Sequence, residues 1–333
     1  MKLDVSLYPS KDFRADANVI RQAESLGYDA AWTTENARNP FFALTIAAAE
    51  TRKIRLGTHA ALAFPRSPMV TAQIAWDLAQ QSGGRFMLGL DTGLGRHIAI
   101  PESEDFQVQV ERMREYIESL RAIWDTFQTD ARLRYRGEHY TFRLMAPFFN
   151  PGPIEHPNIP VFLTGANPTL CELAGELCQG LHAPALHTRD YLRDVLLPAL
   201  SSGLASAGRA RRDVELALPV FIVSGLDETE FLRAKYEAIK QIAALARSPA
   251  NRSIIEHLDW KKIAEELNAL AASERWGDLA EVITDNALGE VAVVADPQDV
   301  LCQIRERYSG IADRVCMIVS RESGRLIKTI MRA

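Results

Sequence analysis

Short apolar runs alternate with amphipathic stretches from one end of this chain to the other. LDVSLY from Leu3, DAAWTTE from Asp29, IRLGTHA from Ile54, FMLGLDT from Phe86, IPVFLTG from Ile159, GLHAPA from Gly180, ELALPVFIVS from Glu215 and RVCMIVS from Arg314 each have the length and content of a buried strand. Between them, apolar positions recur every three or four residues, the period of a helix with one buried face. The stretch 106–127 shows this well: Val110, Met113, Ile117, Leu120, Ile123 and Trp124 lie on one side. Glu111, Arg114, Glu118 and Arg121 lie on the other and read as a solvated face. Strands separated by helices predict a parallel sheet covered by helices. Eight such units predict one α/β domain over residues 1–333, a (β/α)8 barrel of the TIM type.

Two stretches interrupt the alternation. Near 129–159 a hairpin pattern, LRYRGEHYTF, precedes a loop in which Pro147, Pro151, Pro153, Pro157 and Pro160 exclude a regular helix. Near 247–286 the chain is largely helical and too long to be a simple connection. Both are expected as insertions at the C-terminal face of the barrel, the second as a lid.

Composition narrows the class. An apolar content of 47% suits a packed globular protein, and no apolar run reaches the roughly 20 residues that span a bilayer. A net charge of −5 argues against a general polyanion-binding surface, so neither nucleic acid nor membrane is expected as a partner. Cys171, Cys178, Cys302 and Cys316 form no CxxC pair, and the start MKLDVSLYPS reads as a first strand rather than an export signal. A reducing cytoplasm is the expected compartment.

Chemistry in such a barrel belongs at the C-terminal strand ends. The sequence places there Glu35 and Asn36, His59, the segment from Asp91 and Thr92 to His97, Thr164-Gly165-Ala166-Asn167, His182, and His187 with Thr188. The turn at Thr164–Asn167 enters a helix near Pro168. It admits two readings: a phosphate cradle built on a helix N-terminus, or an ordinary turn with Asn167 as N-cap. Asp91 is either a functional carboxylate or a satisfied buried acid. GLDTGLGRHI from Gly89 fails the GxGxxG spacing because Ile98 stands at the third glycine position, and no Walker A loop is present. The first strand lacks HxH and HExxH is absent, so no metal site is expected.

The order GT, an apolar run, RSP, an AQ-containing helix, SGGRF and LGL, followed by PFFNPGPI from Pro147, resembles the luciferase-like flavin and deazaflavin oxidoreductases. The likeness covers most of the chain and is nearest to the branch that uses coenzyme F420. It implies a homodimer that exchanges hydride between F420 and a small organic substrate. FMN, in a reduced-flavin monooxygenase of the same fold, is the alternative, and a binding protein with a degenerate cofactor site is a third reading. By resemblance, Glu35 bonds the cofactor ring edge and His59–Ala60 is a cis peptide bulging against the ring. Thr92 and His97 contact the cofactor, Thr164, Gly165, Ala166 and Asn167 hold its phosphate, and His187 and Thr188 lie near the phosphate or tail. Relatives carry a histidine where Asn36 stands, glycine at Asp91 and an acid at Leu94. Proton movement therefore falls to His97, His182 or Asp91. The segment QIAALARSPANRSIIEHL lacks the aromatic residues of the relatives' lid.

Overall fold

The eight apolar runs pair edge to edge and close on themselves. In this computed structural model, which describes residues 1–93, 106–165, 167–318 and 324–332, the chain runs β1 (Lys2–Leu7), α1 (Phe13–Ser25), β2 (Ala30–Thr33), α2 (Phe41–Glu50), β3 (Arg55–Thr58), β4 (Ala61–Leu62), α3 (Pro68–Ser82), β5 (Phe86–Asp91) and α4 (Phe106–Thr129). A hairpin of β6 (Tyr135–Arg136) and β7 (Thr141–Phe142) leads to β8 (Val161–Thr164), α5 (Pro168–Leu177), β9 (Gly180–His182), α6 (Arg189–Tyr191), α7 (Leu197–Ser206) and β10 (Glu215–Val223). Then come α8 (Glu228–Ala246), α9 (Arg252–His257), α10 (Lys261–Ala272), α11 (Leu279–Val282), α12 (Asp285–Val291), β11 (Ala292–Val294), α13 (Val300–Tyr308), β12 (Arg314–Ile318) and α14 (Gly324–Arg332).

The strand order β10-β12-β1-β2-β3-β5-β8-β9, closed by β9 on β10, is a parallel eight-stranded barrel. Each predicted run supplies one of these strands. The expected count misses β11, in the segment EVAVVAD, which pairs with the far end of β10 at Phe221–Val223. At nine residues β10 is long enough to hold an added rim strand beside the barrel. The charged stripe of α4 is also different from a solvated face: Arg114 pairs with Glu176 at 2.5 Å, Glu118 accepts from the Tyr135 hydroxyl, and Arg121 donates to the Leu177 carbonyl. Those charges hold the neighbouring α5 and hairpin, and Glu111 alone of the four is exposed.

Inside the barrel, Trp32, Met87, Phe162, Ala30, Ala217 and Cys316 form a small core distinct from the larger one beneath the outer helices. Trp32 lies opposite Gly57 in register, and a Cβ on Gly57 would fall 2.3 Å from the indole, so glycine there makes room for the ring. At the base, Arg314 and Asp4 are both fully buried and share two hydrogen bonds of 2.7 and 2.8 Å; Arg314 also reaches Glu215 at 3.0 Å. The Trp32 indole N–H donates to the same Asp4 carboxylate at 2.8 Å. Above Trp32 sits the His182 ring, edge-on with centroids 4.5 Å apart, and against His182 stacks His59 at 4.0 Å. A column of polar and aromatic groups thus rises from the barrel base toward the C-terminal strand ends.

The helical insertion has a core of its own. Ile239, Ile242, Ile254, Ile255, Trp260, Leu267 and Leu288 pack together with Phe221 and Val223 of β10. It therefore stands as a wall anchored on the barrel rather than as a loose loop. Among the described residues no helix is long and apolar enough to cross a membrane.

Candidate active site

Where the strands end, a cavity of about 1230 Å³ opens between the barrel rim and the helical insertion. Its barrel side is made by Ser6, Leu7 and Tyr8 at the end of β1, Thr34 after β2, His59 and Ala60 after β3, Asp91 and Thr92 at β5, Thr164 and Asn167 around β8, and Ala183 to Ala185 after β9. The expected residues His59, Ala60, Asp91, Thr92, Thr164 and Asn167 are therefore brought together. The His59–Ala60 peptide is cis. Asp91 closes β5 and its Oδ1 accepts the Gly93 N–H at 2.7 Å. His97, Leu94 and Ala166 lie outside the described residues.

The turn after β8 joins the two readings open in the sequence. Asn167 is the N-cap of α5, its Oδ1 accepting from the Leu170 N–H at 3.0 Å. The Gly165 N–H donates to the His182 carbonyl at 3.1 Å, so it is committed to the sheet and does not serve as a free cradle donor. A Cβ at Gly165 would meet Leu181 and Cys171 at 3.1 and 3.3 Å, which places the need for glycine in the packing of β9 and α5. Thr164 lines the cavity, and its buried hydroxyl has no protein hydrogen-bond partner. A buried polar group left in that state calls for a ligand or water.

Four expected contacts fall elsewhere. Glu35 is absent from the described cavity wall: its carboxylate takes both Arg66 Nη donors at 2.7 Å and the Leu62 N–H at 2.7 Å. A fork-on-carboxylate pair of this kind fixes geometry, and here it clamps the segment following His59–Ala60 onto the end of β2. Asn36 is exposed, its side chain accepting from the Arg38 N–H. Thr188 caps α6 through the Tyr191 N–H. His187 is fully buried beside Tyr308, with its Nδ1 2.8 Å from the Pro184 carbonyl, where the carbonyl accepts.

His182 also lies beneath the wall rather than in it. It is 1% exposed and both ring nitrogens lack a protein partner. Burial first, then neighbouring His59 and Arg314, push its pKa well below the ordinary histidine value. It is a neutral ring under His59, and direct proton exchange with a cavity ligand does not fit that position. Burial likewise lowers His187 to about 4. Because the folded-state value of His187 is depressed, its stabilisation is fully present above about pH 6.5 and is lost as pH falls from there toward 4. We expect acid to cost His187 alone about 3 kcal/mol of stability over that window. Urea unfolding at several pH values checks this: His187→Gln should flatten the loss, and an unchanged slope would refute it.

The opposite wall was not read from the sequence. Gln241, Ala244, Leu245 and Ser248 face the cavity from α8 and its end, followed by Pro249, Asn251, Arg252, Ser253 and Glu256. The spacing of the first four, i, i+3, i+4 and i+7, marks a second helical face and was the available signal. Asp16 and Ser10 were missed as well, since the loop after β1 held no conspicuous motif. Among the described residues no His, Cys, Asp and Glu group has the arrangement to hold a metal ion.

A polar-edged cavity at the C-terminal mouth of a parallel barrel is where proteins of this fold place their sites, and comparison with known proteins gives the family. Residues 2–314 match the luciferase-like monooxygenase family, and the chain belongs to it. The uncharacterized protein Rv1360 of Mycobacterium tuberculosis is 35% identical over 332 residues, covering 100% of this chain and 97% of that protein. A 5,10-methylenetetrahydromethanopterin reductase of Archaeoglobus fulgidus is 27% identical, over 92% of this chain and 90% of its own. Among solved structures, the coenzyme F420 dependent tetrahydromethanopterin reductase from Methanopyrus kandleri superposes with a TM-score of 0.76 at 19% identity, over 99% and 96% of the two chains. An FMN complex of a type II Baeyer–Villiger monooxygenase component from Pseudomonas putida gives 0.66 at 15%, over 99% and 97%. The last two likenesses concern the fold.

Proposed function

We propose that this protein is an F420-dependent oxidoreductase that exchanges hydride between the deazaflavin and a small organic substrate in the cavity at the barrel mouth. The observation that carries the reading is the cavity wall itself: the cis His59–Ala60 segment, Asp91, Thr92 and the unpartnered Thr164 hydroxyl converge on one space large enough for a tricyclic ring and a second molecule. Similarity to a putative coenzyme F420-dependent oxidoreductase of Mycobacterium tuberculosis, 26% identical over 302 residues, supports the choice of F420 over FMN.

The residues present fit the cofactor. His59 and Ala60 would support the ring face, Thr92 its edge, and Thr164 with Asn167 the phosphate end. Once bound, a deazaflavin supplies two-electron hydride transfer. Within the protein, Glu35 and Arg66 hold the His59–Ala60 segment in place, and His182 backs His59 from below. Asp91 is the carboxylate at the strand end that can hold or pass a proton. The α8–α9 wall covers the space and limits water.

Titration of the purified protein with F420 and with FMN, followed by absorbance and fluorescence, tests the reading. F420 is expected to bind at least about tenfold more tightly, a difference of about 1.4 kcal/mol. Tighter FMN binding would transfer the site to a flavin-dependent reaction. Binding of neither would remove the oxidoreductase reading.

A further inference from the structure

The wall formed by α8 and α9 has two faces with different tasks. Ala238, Ile239, Ile242, Ala243 and Ala246 of α8 enter the insertion's own core, as do Ile254 and Ile255 of α9. The other face turns toward the cavity and presents Gln241, Ser248, Asn251 and Arg252. Packing accounts for the first set and leaves the second unexplained. A wall that only excluded water would be served by apolar side chains, which need no partners.

Most hydrogen-bonding capacity on this face is open. The Gln241 amide and the Ser248 hydroxyl have no partner within the described protein. Asn251 is 6% exposed; its Nδ2 donates to the Leu245 carbonyl at 2.9 Å, while its Oδ1 is unused. Arg252 engages Glu256 through Nε at 2.9 Å, an exposed i,i+4 contact of the weak kind, which leaves both Nη groups without a protein acceptor. Arg252 is also the one cation among the described residues lining the cavity. The carboxylates on the barrel side are differently placed: Asp16, in the first turn of α1, accepts the Ser10 N–H of the preceding loop, and Asp91 accepts the Gly93 N–H.

We propose that this face recognises an oxyanion, a carboxylate or a phosphate, carried by the substrate, with Arg252 as its charge partner and Gln241 and Ser248 as flanking donors. The planar guanidinium with its two Nη groups free matches such a group in two-point fashion, which an ammonium would not. Glu256 holds the arginine side chain until the ligand oxyanion takes over. The proposal rests on the oxidoreductase reading for the word substrate. An oxyanion could equally come from the cofactor's own phosphate-bearing chain, so the two sources are separated experimentally.

The probe is inorganic phosphate, titrated into the F420-loaded protein and followed by deazaflavin fluorescence and by thermal shift. Wild type is expected to bind it saturably. Arg252→Gln should weaken that binding at least tenfold, Arg252→Lys should restore part of it, and Gln241→Ala should weaken it severalfold. F420 affinity should stay within about twofold of wild type in all three. Equal phosphate binding by wild type and Arg252→Gln, or none by wild type, overturns the proposal. A tenfold loss of F420 affinity in Arg252→Gln assigns the oxyanion to the cofactor and overturns it too. If neither F420 nor FMN binds, the oxidoreductase reading fails by itself. The phosphate titration of the cofactor-free protein then decides the oxyanion site: a tenfold difference between wild type and Arg252→Gln upholds it, and equality removes it.

Discussion

Replacing Arg314 with methionine is expected to lower the stability of the fold by about 3–5 kcal/mol. The guanidinium and its partner Asp4 are both without solvent contact, and the two hydrogen bonds between them are the main compensation for that carboxylate's burial. Methionine fills much of the volume but leaves the buried carboxylate with the Trp32 indole N–H as its remaining side-chain hydrogen-bond donor. Urea denaturation of the variant gives the size of the loss. The double variant Asp4→Asn with Arg314→Met keeps an acceptor for the indole N–H and removes the stranded charge, so most of the loss should return. A single variant as stable as wild type would show that the pair contributes nothing at the base.

Asp91→Asn is expected to reduce turnover by about 10²- to 10⁴-fold, the range for a missing general acid or base, once a substrate is in hand. Asparagine retains an oxygen for the Gly93 N–H, so the loop should keep its shape. F420 affinity is accordingly expected to change no more than a few-fold. Steady-state kinetics across pH, paired with cofactor titration, separates the two quantities. Near wild-type turnover at every pH would mean that the proton comes from solvent or substrate and that Asp91 only shapes the loop.

The barrel was legible in the sequence because each of its strands is a continuous apolar run ended by turn residues, and burial on both faces writes that pattern directly. The added strand β11 was not, since three residues against the overhang of β10 leave almost no periodic signal. Cavity-lining residues at strand ends are legible where a polar residue follows an apolar run, as at Asp91, Thr92 and Thr164. Glu35 shows the limit of that reasoning. Its partner Arg66 is 31 residues away, and no spacing reveals that the two meet across the end of β2. His182 shows another: β9 is only three residues long, and its last inward side chain falls one layer below the mouth, a depth set by strand stagger rather than by residue type. Arg252 was overlooked because an insertion seen only as lacking aromatic residues gives no hint of which polar side chains turn inward.

The column from Asp4 through Trp32 and His182 to His59 also governs how this lineage can drift. Gln241, Ser248 and Arg252 sit on a separate wall, so descendants can exchange them one at a time and acquire new substrates without disturbing the barrel. The column has no such freedom. Any side chain at position 57 larger than glycine requires a smaller residue at 32, and a smaller residue at 32 takes the indole donor from the Asp4 carboxylate below and unseats His182 above. Selection must therefore treat these positions as one inherited block, and substrate diversity in this protein's descendants should accumulate on the insertion while the axis of the barrel stays fixed.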